Sequence, residues 1–253
     1  MSNVAAWPTF MAKLLNRQGV AERTMSFSFE KLADWTFRAG QFIDITLINP
    51  AETDAEGNTR GFSVSSAPYE EAITITTRMR DTAFKRILGG MALDTKVKIE
   101  GPFGDLRLHN NAARPAVFLA GGIGVTPVRS IVLQAAKDKW LHRIFLFHSN
   151  RRPEDAPFLE TLQELEHQNP SFRFIPTMTQ IQKSNREWHG ETGYMDNKML
   201  SKYLKSVLSP ESPSVGLIFY ITGPAAMVHG LRTMLTTSGI DEDDIRSEEF
   251  TGY

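Results

Sequence analysis

The chain has 253 residues, 41% of them hydrophobic, with 28 basic and 29 acidic side chains, which allows one large domain or two ordinary ones. The balanced charge gives no reason to expect nucleic acid or a membrane as partner, and the N-terminus lacks the pattern of a signal peptide, so we expect a cytoplasmic protein. The absence of cysteine excludes disulfides, thiolate nucleophiles and cysteine-ligated clusters, and the scattered histidines predict no metal site.

The first hundred residues contain short segments in which apolar and polar residues alternate, the pattern of half-buried strands. The predicted strands are Phe10–Asn16, Thr24–Phe29, Phe42–Ile48, Gly61–Ser65, Ile73–Arg78 and Lys96–Glu100. A short helix is predicted over Thr82–Leu88, and the polar, acidic stretch Asn49–Asn58 is predicted to be a surface loop. Short strands separated by turn residues favour an antiparallel barrel or sandwich.

From Pro115 onward, strands and helices alternate. The predicted strands are Ala116–Ala120, Ile144–His148, Phe172–Thr177, Leu217–Thr222 and Ile245–Glu248. The predicted helices are Pro127–Lys137, Ala156–Gln168, Asn197–Leu204 and Ala225–Thr236. This alternation predicts a parallel sheet with helices on both faces and ligands beyond the carboxyl ends of its strands. We place the domain boundary in the polar stretch His109–Arg114, giving predicted domains 1–109 and 110–253.

A glycine-rich turn, Gly121-Gly122-Ile123-Gly124, lies between the first of these strands and its helix. Glycine lets a ligand approach the backbone closely, and the start of the following helix offers free N–H groups that suit a phosphate. The spacing differs from the dinucleotide fingerprint, so the turn indicates a nucleotide site without excluding a turn that binds nothing.

A second candidate site is the segment Arg60-Gly61-Phe62-Ser63-Val64. An arginine at the start of a strand can hold a diphosphate, an aromatic ring can cover a flat ligand, and a hydroxyl can bond a ring heteroatom. From composition alone, an exposed arginine beside a core phenylalanine is the better explanation of the segment.

The order of several motifs resembles the ferredoxin–NADP⁺ reductase superfamily. They are Arg60-x-Phe62-Ser63, Gly101-Pro102-Phe103-Gly104, the turn Gly121-Gly122-x-Gly124-x-Thr126-Pro127, Thr222-Gly223-Pro224 and Glu249-Phe250. The resemblance implies an N-terminal antiparallel flavin-binding β-barrel followed by a C-terminal parallel-sheet NAD(P)-binding domain. It further implies FAD and NADP or NAD as cofactors, and an NAD(P)H-dependent flavoprotein oxidoreductase.

By this resemblance, the first half holds the flavin. Arg60 is expected to bind the flavin diphosphate, Phe62 to stack on the flavin in place of the usual tyrosine, and Ser63 to lie near N5. The remaining residues assigned to cofactor binding in this half are Val64, Arg78, Thr82, Ala83 and Phe84.

The resemblance assigns the coenzyme to the second half. Gly122, Gly124 and Thr126 are expected to line its diphosphate and nicotinamide, with Gly223 and Pro224 beside the nicotinamide. Either Phe250 or the terminal Tyr253 is expected to cover the flavin. Thr222 stands where many members have a cysteine that supports hydride transfer. The residues assigned catalytic roles are Ser63, Thr222 and Phe250.

The coenzyme and the electron acceptor are less strongly encoded. Arg151 and Arg152 follow the second strand and suit the 2′-phosphate of NADP, although Gln180 replaces an arginine that NADP-specific members often have, and a solvated loop explains the pair equally well. The acceptor implied is a ferredoxin, a flavodoxin, an oxygenase component, free flavin or a ferric chelate. The alternative is a flavin-binding electron-transfer or regulatory subunit without its own NAD(P)H turnover. We expect a monomer.

Overall fold

The computed structural model of the chain describes residues 7–205, 207 and 216–250. Within these residues it contains two six-stranded sheets that follow each other along the chain. The first sheet is antiparallel and contains β1 (Thr9–Ala21), β2 (Thr24–Glu30), β3 (Phe42–Leu47), β4 (Thr59–Ser63), β5 (Ala72–Arg78) and β6 (Lys96–Phe103). One helix, α1 (Ala83–Gly90), lies between its last two strands.

The first sheet closes into a barrel. Its strand order is β4-β3-β6-β1-β2-β5, and the two edge strands meet where Val64 bridges Ile75 and the Ser65 N–H donates to the Thr74 carbonyl at 2.8 Å. Closure removes the exposed sheet edges. Strand β1 is longer than predicted because its first half pairs with β6 and its second half with β2, with irregularities after Leu14 and Gly19.

The second sheet is parallel. Its strands are β7 (Ala116–Gly121), β8 (Ile144–Asn150), β9 (Phe172–Met178), β10 (Glu191–Thr192), β11 (Ile218–Pro224) and β12 (Ile245–Phe250). The helices between them are α2 (Val125–Lys137), α3 (Leu159–Gln168), α4 (Asn197–Leu204) and α5 (Ala225–Thr237).

The order of this sheet is β10-β9-β8-β7-β11-β12, and each face has its own apolar core. Residues of α2 and α3 pack on one face, and residues of α4 and α5 on the other. The predicted fold class, an antiparallel barrel followed by a parallel α/β domain, is therefore confirmed. Helix α3 was predicted to begin at Ala156 but begins at Leu159, because Phe158 adopts a left-handed conformation with φ of 61°.

The barrel and the parallel domain are joined by buried hydrogen bonds. Arg129 on α2 donates to the Ser65 carbonyl at 2.6 Å and forms an ion pair with Glu70 at 3.1 Å. The next residue, Ser130, donates to the Ser66 carbonyl at 2.7 Å. The helix that follows the glycine-rich turn is thus bound to the segment that follows Ser63. The domain limits 1–109 and 110–253 stay a prediction.

A second contact joins the two domains at the loop after β8. The turn between β1 and β2 reaches the loop after β8, where the Glu22 N–H donates to the Glu154 carbonyl at 2.7 Å. The Glu22 carboxylate also pairs with Arg152 at 2.6 Å. These contacts place the neighbouring Arg23 beside the carboxyl edge of the parallel sheet.

Candidate functional site

The glycine-rich turn lies at the end of β7, as predicted. Residues 122–124 form one turn of 3₁₀ helix, in which Gly122 has a φ of 50°, and α2 begins at Val125. His148, fully buried on β8, lies 2.9 Å from the Gly122 carbonyl through Nε2. Burial lowers the pKa of His148 to about 4, so the ring is neutral near pH 7 and its Nε2–H donates to that carbonyl. The hydrogen bond from His148 therefore holds the Gly122 carbonyl, and with it the glycine-rich turn, in place.

One glycine of this turn is required by close packing. A Cβ on Gly124 would lie 2.4 Å from the Thr222 carbonyl oxygen, a backbone atom, so glycine here lets the turn after β7 pack directly on the end of β11. A Cβ on Gly121 would lie 2.5 Å from the sulfur of Met227 on α5, which is part of a flexible side chain that can move. Thr126 is buried, and its hydroxyl donates to the Ile123 carbonyl at 3.0 Å, which stabilises the turn.

A cleft of about 800 Å³ opens at the carboxyl edge of the parallel sheet. It is lined by Gly121 and Gly122 of the turn, by the ends of β8 and β9, and by Pro224. Arginines from both domains line it as well: Arg23, Arg78, Arg80 and Arg151. A concave site with converging cations, next to a helix start, has the chemistry to bind a phosphorylated ligand.

Three buried polar side chains near this edge have no hydrogen-bond partner for some of their atoms. Asn150 is 5% exposed, lines the cleft and leaves both amide atoms unpaired; the Thr222 hydroxyl and one Glu248 carboxylate oxygen are also unpaired. Thr222 and Glu248 are direct neighbours on β11 and β12. Burial raises the pKa of Glu248 to about 7. Unpaired buried polar atoms indicate a place where a ligand supplies the missing partners.

The end of β12 completes this edge. Phe250 is half-buried and lies opposite Pro224 on β11, next to the Thr222-Gly223-Pro224 segment. Its predicted role of covering the flavin stays a prediction. Gly223 has a φ of 152°, and a Cβ there would lie 2.7 Å from Met227. The alternative aromatic residue, Tyr253, lies outside the described residues.

The barrel segment Arg60–Ser63 lies against α1. The Arg60 guanidinium stands over the Phe84 ring at 5.3 Å, and the ring of Phe62 packs against the same ring with centroids 5.7 Å apart. Arg60 also pairs with the carboxylates of Asp54 and Glu56 at 2.6 and 3.0 Å. These two acids belong to the segment that was predicted to be a surface loop. In the structure they pair with Arg60, the residue expected to bind the flavin diphosphate.

The start of α1 is capped by Thr82, whose hydroxyl accepts a hydrogen bond from the Lys85 N–H at 3.4 Å. Ala83 and Phe84 are nearly fully buried, so they present backbone N–H groups rather than side chains. Ser63 is 6% exposed, and the Val64 side chain is completely buried in the barrel core, which leaves only its backbone for a cofactor contact.

Comparison with known proteins supports the fold and the type of its second half. Residues 118–233 match the oxidoreductase NAD-binding domain. The chain superposes on a ferredoxin NADP⁺ reductase from Neisseria gonorrhoeae with a TM-score of 0.75 and 24% identity, covering 95% of this chain and 98% of that one. The chain therefore has the fold of that reductase.

Two further similarities support this assignment. The chain is 25% identical over 231 residues to the glycine betaine monooxygenase reductase subunit of Chromohalobacter salexigens, covering 90% of this chain and 60% of that protein. It superposes on a cytochrome P450 reductase from Amycolatopsis with a TM-score of 0.79 and 20% identity, covering 97% of this chain and 71% of that one. The chain spans 60% or less of the length of the curated relatives named for it, and 37% of several of them.

These similarities confirm the predicted resemblance and agree with the predicted enzyme class, an NAD(P)H-dependent flavoprotein oxidoreductase. The residues fit both cofactors. The cations and the unpaired Asn150 at the cleft suit a dinucleotide, and Arg60 with the start of α1 suits an anionic flavin tail. Among the described residues, none of the helices has the length and apolar character to cross a membrane.

Sequence reasoning missed several residues of the site because they come from distant segments. Arg23 and Arg80 reach the cleft from the barrel, Asn150 ends β8, and Glu248 lies beside Thr222. Neither Glu248 nor the arginines carry a local signal in the sequence that marks them as residues of this site.

Proposed function

We propose that this chain is a flavin-dependent reductase that transfers a hydride from NAD(P)H to FAD and passes the electrons to a separate acceptor. One observation carries the proposal: α2, which follows the glycine-rich turn, is hydrogen-bonded to the segment that directly follows Arg60-Gly-Phe-Ser63. The candidate flavin segment and the candidate coenzyme turn are therefore held in a fixed relation, as transfer between two stacked rings requires.

On the barrel side, the residues would bind and orient the flavin. Arg60 and the N–H groups at the start of α1 would hold its anionic tail, and Phe62 would cover one ring face. Ser63 would place its hydroxyl near the ring nitrogen that accepts the hydride. Bound flavin supplies the two-electron chemistry and can release electrons singly or in pairs.

On the coenzyme side, the residues would bind the dinucleotide along the cleft. Gly121 and Gly122 let the diphosphate approach the backbone, and the unpaired Asn150 amide can complete its hydrogen bonds with the ligand. Thr222, Pro224 and Phe250 would border the nicotinamide. Since these side chains carry no acid or base needed for hydride transfer, their task is to position the ring and exclude water.

The cleft favours NADPH over NADH as the coenzyme. Arg151 and Gln180 both line the cleft, so Arg151 can place a positive charge beside a 2′-phosphate. Arg152, which the sequence offered as a second 2′-phosphate ligand, is instead paired with Asp155 at 2.9 Å and with Glu22 at 2.6 Å. We therefore assign the 2′-phosphate to Arg151 and a structural role to Arg152.

The acceptor that we favour is the oxygenase component of a multicomponent system. The relative from Chromohalobacter is named as the reductase subunit of a monooxygenase. The 253 residues contain no cysteine, so a cysteine-ligated cluster that relayed electrons would lie outside this sequence. A ferredoxin, a flavodoxin, free flavin and a ferric chelate are the other acceptors to test.

The first experiment is to load the purified chain with FAD and follow its visible absorbance after anaerobic addition of NADPH or NADH. We expect reduction within seconds and a preference for NADPH. Replacing Arg60 with Ala is expected to weaken FAD retention. A chain that binds FAD without being reduced by either coenzyme supports the alternative, an electron-transfer or regulatory subunit, and a chain that binds no flavin rules out the proposal.

A further inference from the structure

The donors that would bind the flavin phosphate form a compact cationic group. We define the anion site as the Arg60 guanidinium together with the backbone N–H groups at the start of α1. Lys85, in the first turn of α1, donates to the Arg78 carbonyl at 2.7 Å. Burial, together with repulsion from Arg80, Arg60 and Arg78, lowers the pKa of Lys85 to about 8. The positive charges around the start of α1 therefore lie close enough to repel one another.

A side chain of the protein itself occupies the anion site. The Asp54 carboxylate accepts a hydrogen bond from Arg60 Nη2 at 2.6 Å and faces the backbone N–H of Phe84. A Glu56 carboxylate oxygen forms an ion pair with Arg60 Nε at 3.0 Å, while Arg60 Nη1 donates to backbone carbonyls of the same loop, including that of Gly57 at 3.0 Å. All three guanidinium nitrogens of Arg60 therefore have partners within the loop.

The loop is built to present Asp54 in this position. Residues 54–57 form a tight turn, in which the Gly57 N–H donates to the Asp54 carbonyl at 2.9 Å and Gly57 has a φ of 76°. The Asp54 side chain also accepts from the Glu56 N–H at 3.1 Å. A second ion pair, between Glu52 and Arg86, ties the loop to α1. A preorganised carboxylate competes more strongly than a mobile one, because its ordering cost has already been met.

We propose that Asp54 is a specificity-determining residue for the flavin, because its carboxylate holds the place that a flavin phosphate would take. The proposal rests on the flavin site of the proposed function. FAD and FMN must displace Asp54 from Arg60 before their phosphates can bind. Riboflavin has no phosphate, so its affinity does not depend on displacing Asp54. The protein thus binds phosphorylated flavins more weakly than its cations alone would allow, and the flavin exchanges readily.

The test compares flavin affinities in the wild type and in Asp54→Asn, measured by quenching of flavin fluorescence. Asparagine keeps an oxygen that can accept the Glu56 N–H, so the turn is retained. We expect Asp54→Asn to bind FAD and FMN at least about tenfold more tightly, because a charge-assisted hydrogen bond no longer has to be broken. The affinity for riboflavin should change by less than about twofold.

The matched control is Asp81→Asn. Asp81 precedes α1 and pairs with Arg86, not with Arg60, so this variant makes the same charge change near the same helix. We expect its flavin affinities to stay within about twofold of the wild type, as for other exposed pairs. Equal tightening in both variants, or unchanged FAD affinity in Asp54→Asn while the wild type binds FAD, would overturn the role of Asp54. If no flavin binds to any variant, the proposed function itself fails.

Discussion

The two candidate sites differ in whether their polar groups already have partners within the protein. In the barrel, the guanidinium of Arg60 is fully paired with the loop that carries Asp54 and Glu56. At the edge of the parallel sheet, Asn150, Thr222 and Glu248 keep buried polar atoms without partners. A paired site must exchange partners when a ligand binds, whereas unpaired atoms gain partners at no such cost. The difference predicts that flavin binds weakly and exchanges readily, and that the coenzyme binds in the cleft without first displacing protein partners from these atoms.

The largest effect is expected at the glycine-rich turn. In Gly124→Ala, the new methyl group would lie 2.4 Å from a backbone oxygen, so the ends of β7 and β11 must separate. We expect a loss of about 3 kcal/mol or more in the free energy of unfolding, measured by denaturant titration, together with loss of coenzyme binding.

Gly230→Ala is the control for this prediction. Gly230 is exposed on α5, and a Cβ there meets nothing within 4 Å outside the helix itself. Since alanine is the better helix former, stability should rise by about 1 kcal/mol. A Gly124→Ala variant as stable as the wild type would show that the cleft is less tightly constrained than its packing indicates.

The next largest effect is expected at Arg129, which joins α2 of the parallel domain to the barrel segment that follows Ser63. Arg129→Ala removes the hydrogen bond to Ser65 and the ion pair with the partly buried Glu70, whose carboxylate keeps the Ala67 N–H as a hydrogen-bond partner. We expect a loss of about 2 kcal/mol in stability. We also expect slower reduction of bound FAD at saturating NADPH, measured by stopped flow with FAD affinity unchanged.

Arg232→Ala provides the comparison, because the pair of Arg232 with Glu242 is longer, at 3.6 Å, and lies at the surface. The free energy of unfolding of this variant should lie within about 0.5 kcal/mol of the wild-type value. Its rate of flavin reduction should equal that of the wild type. Unchanged reduction in Arg129→Ala would mean that the two sites keep their relation without this contact.

The two neighbouring arginines after β8 offer a smaller and more specific test. Arg151→Gln should raise the KM for NADPH about tenfold, because a charge-assisted contact to the 2′-phosphate is lost, and leave the KM for NADH nearly unchanged. Arg152→Gln should instead lower the melting temperature, since Arg152 pairs with Glu22 and Asp155. If Arg152→Gln were the variant that lost NADPH selectivity, our assignment of these residues would be reversed.

The smallest effect is a pH dependence of stability. The pKa of Glu248 is raised to about 7, so the folded state keeps a proton that the unfolded state loses, and stability falls as pH rises from about 4.5 to 7. The lowered pKa of His148, about 4, acts in the opposite direction between about 4 and 6.5. The two contributions oppose each other in mildly acidic solution.

Glu248→Gln should expose the contribution of His148. Relative to the wild type, its free energy of unfolding should rise with pH by up to about 1.4 kcal/mol per unit across this window, measured by urea titration at several pH values. The exposed neighbour Glu249 is the control, and Glu249→Gln should reproduce the wild-type profile. Parallel profiles for wild type and Glu248→Gln would show that Glu248 is not buried in solution.

Much of the fold could be predicted because its patterns are local. Alternating residues along β3 and the apolar strand before Gly121 identify their structures without knowledge of any neighbour. The length of β1 could not be predicted, because its second half is stabilised by pairing with β2. The late start of α3 depends on a left-handed residue, Phe158, that is neither glycine nor asparagine.

The same distinction applies to the candidate site. The glycine-rich turn and the segment around Arg60 were recognised from neighbouring residues. The pairing of Arg60 with Asp54, the bond from Arg129 to Ser65 and the approach of Arg23 to the cleft join segments that the sequence does not relate. Residue roles in the site stay predictions until the variants above are measured.

The turn between β1 and β2 has a consequence for how such proteins can be recombined. It carries Arg23 to the coenzyme cleft, and the barrel also contributes Arg78 and Arg80. A chimaera that joins residues 110–253 to a barrel from another reductase would therefore inherit the glycine-rich turn but lose three of the cations around it. We therefore expect coenzyme affinity to depend on both domains and to change when either half is exchanged alone.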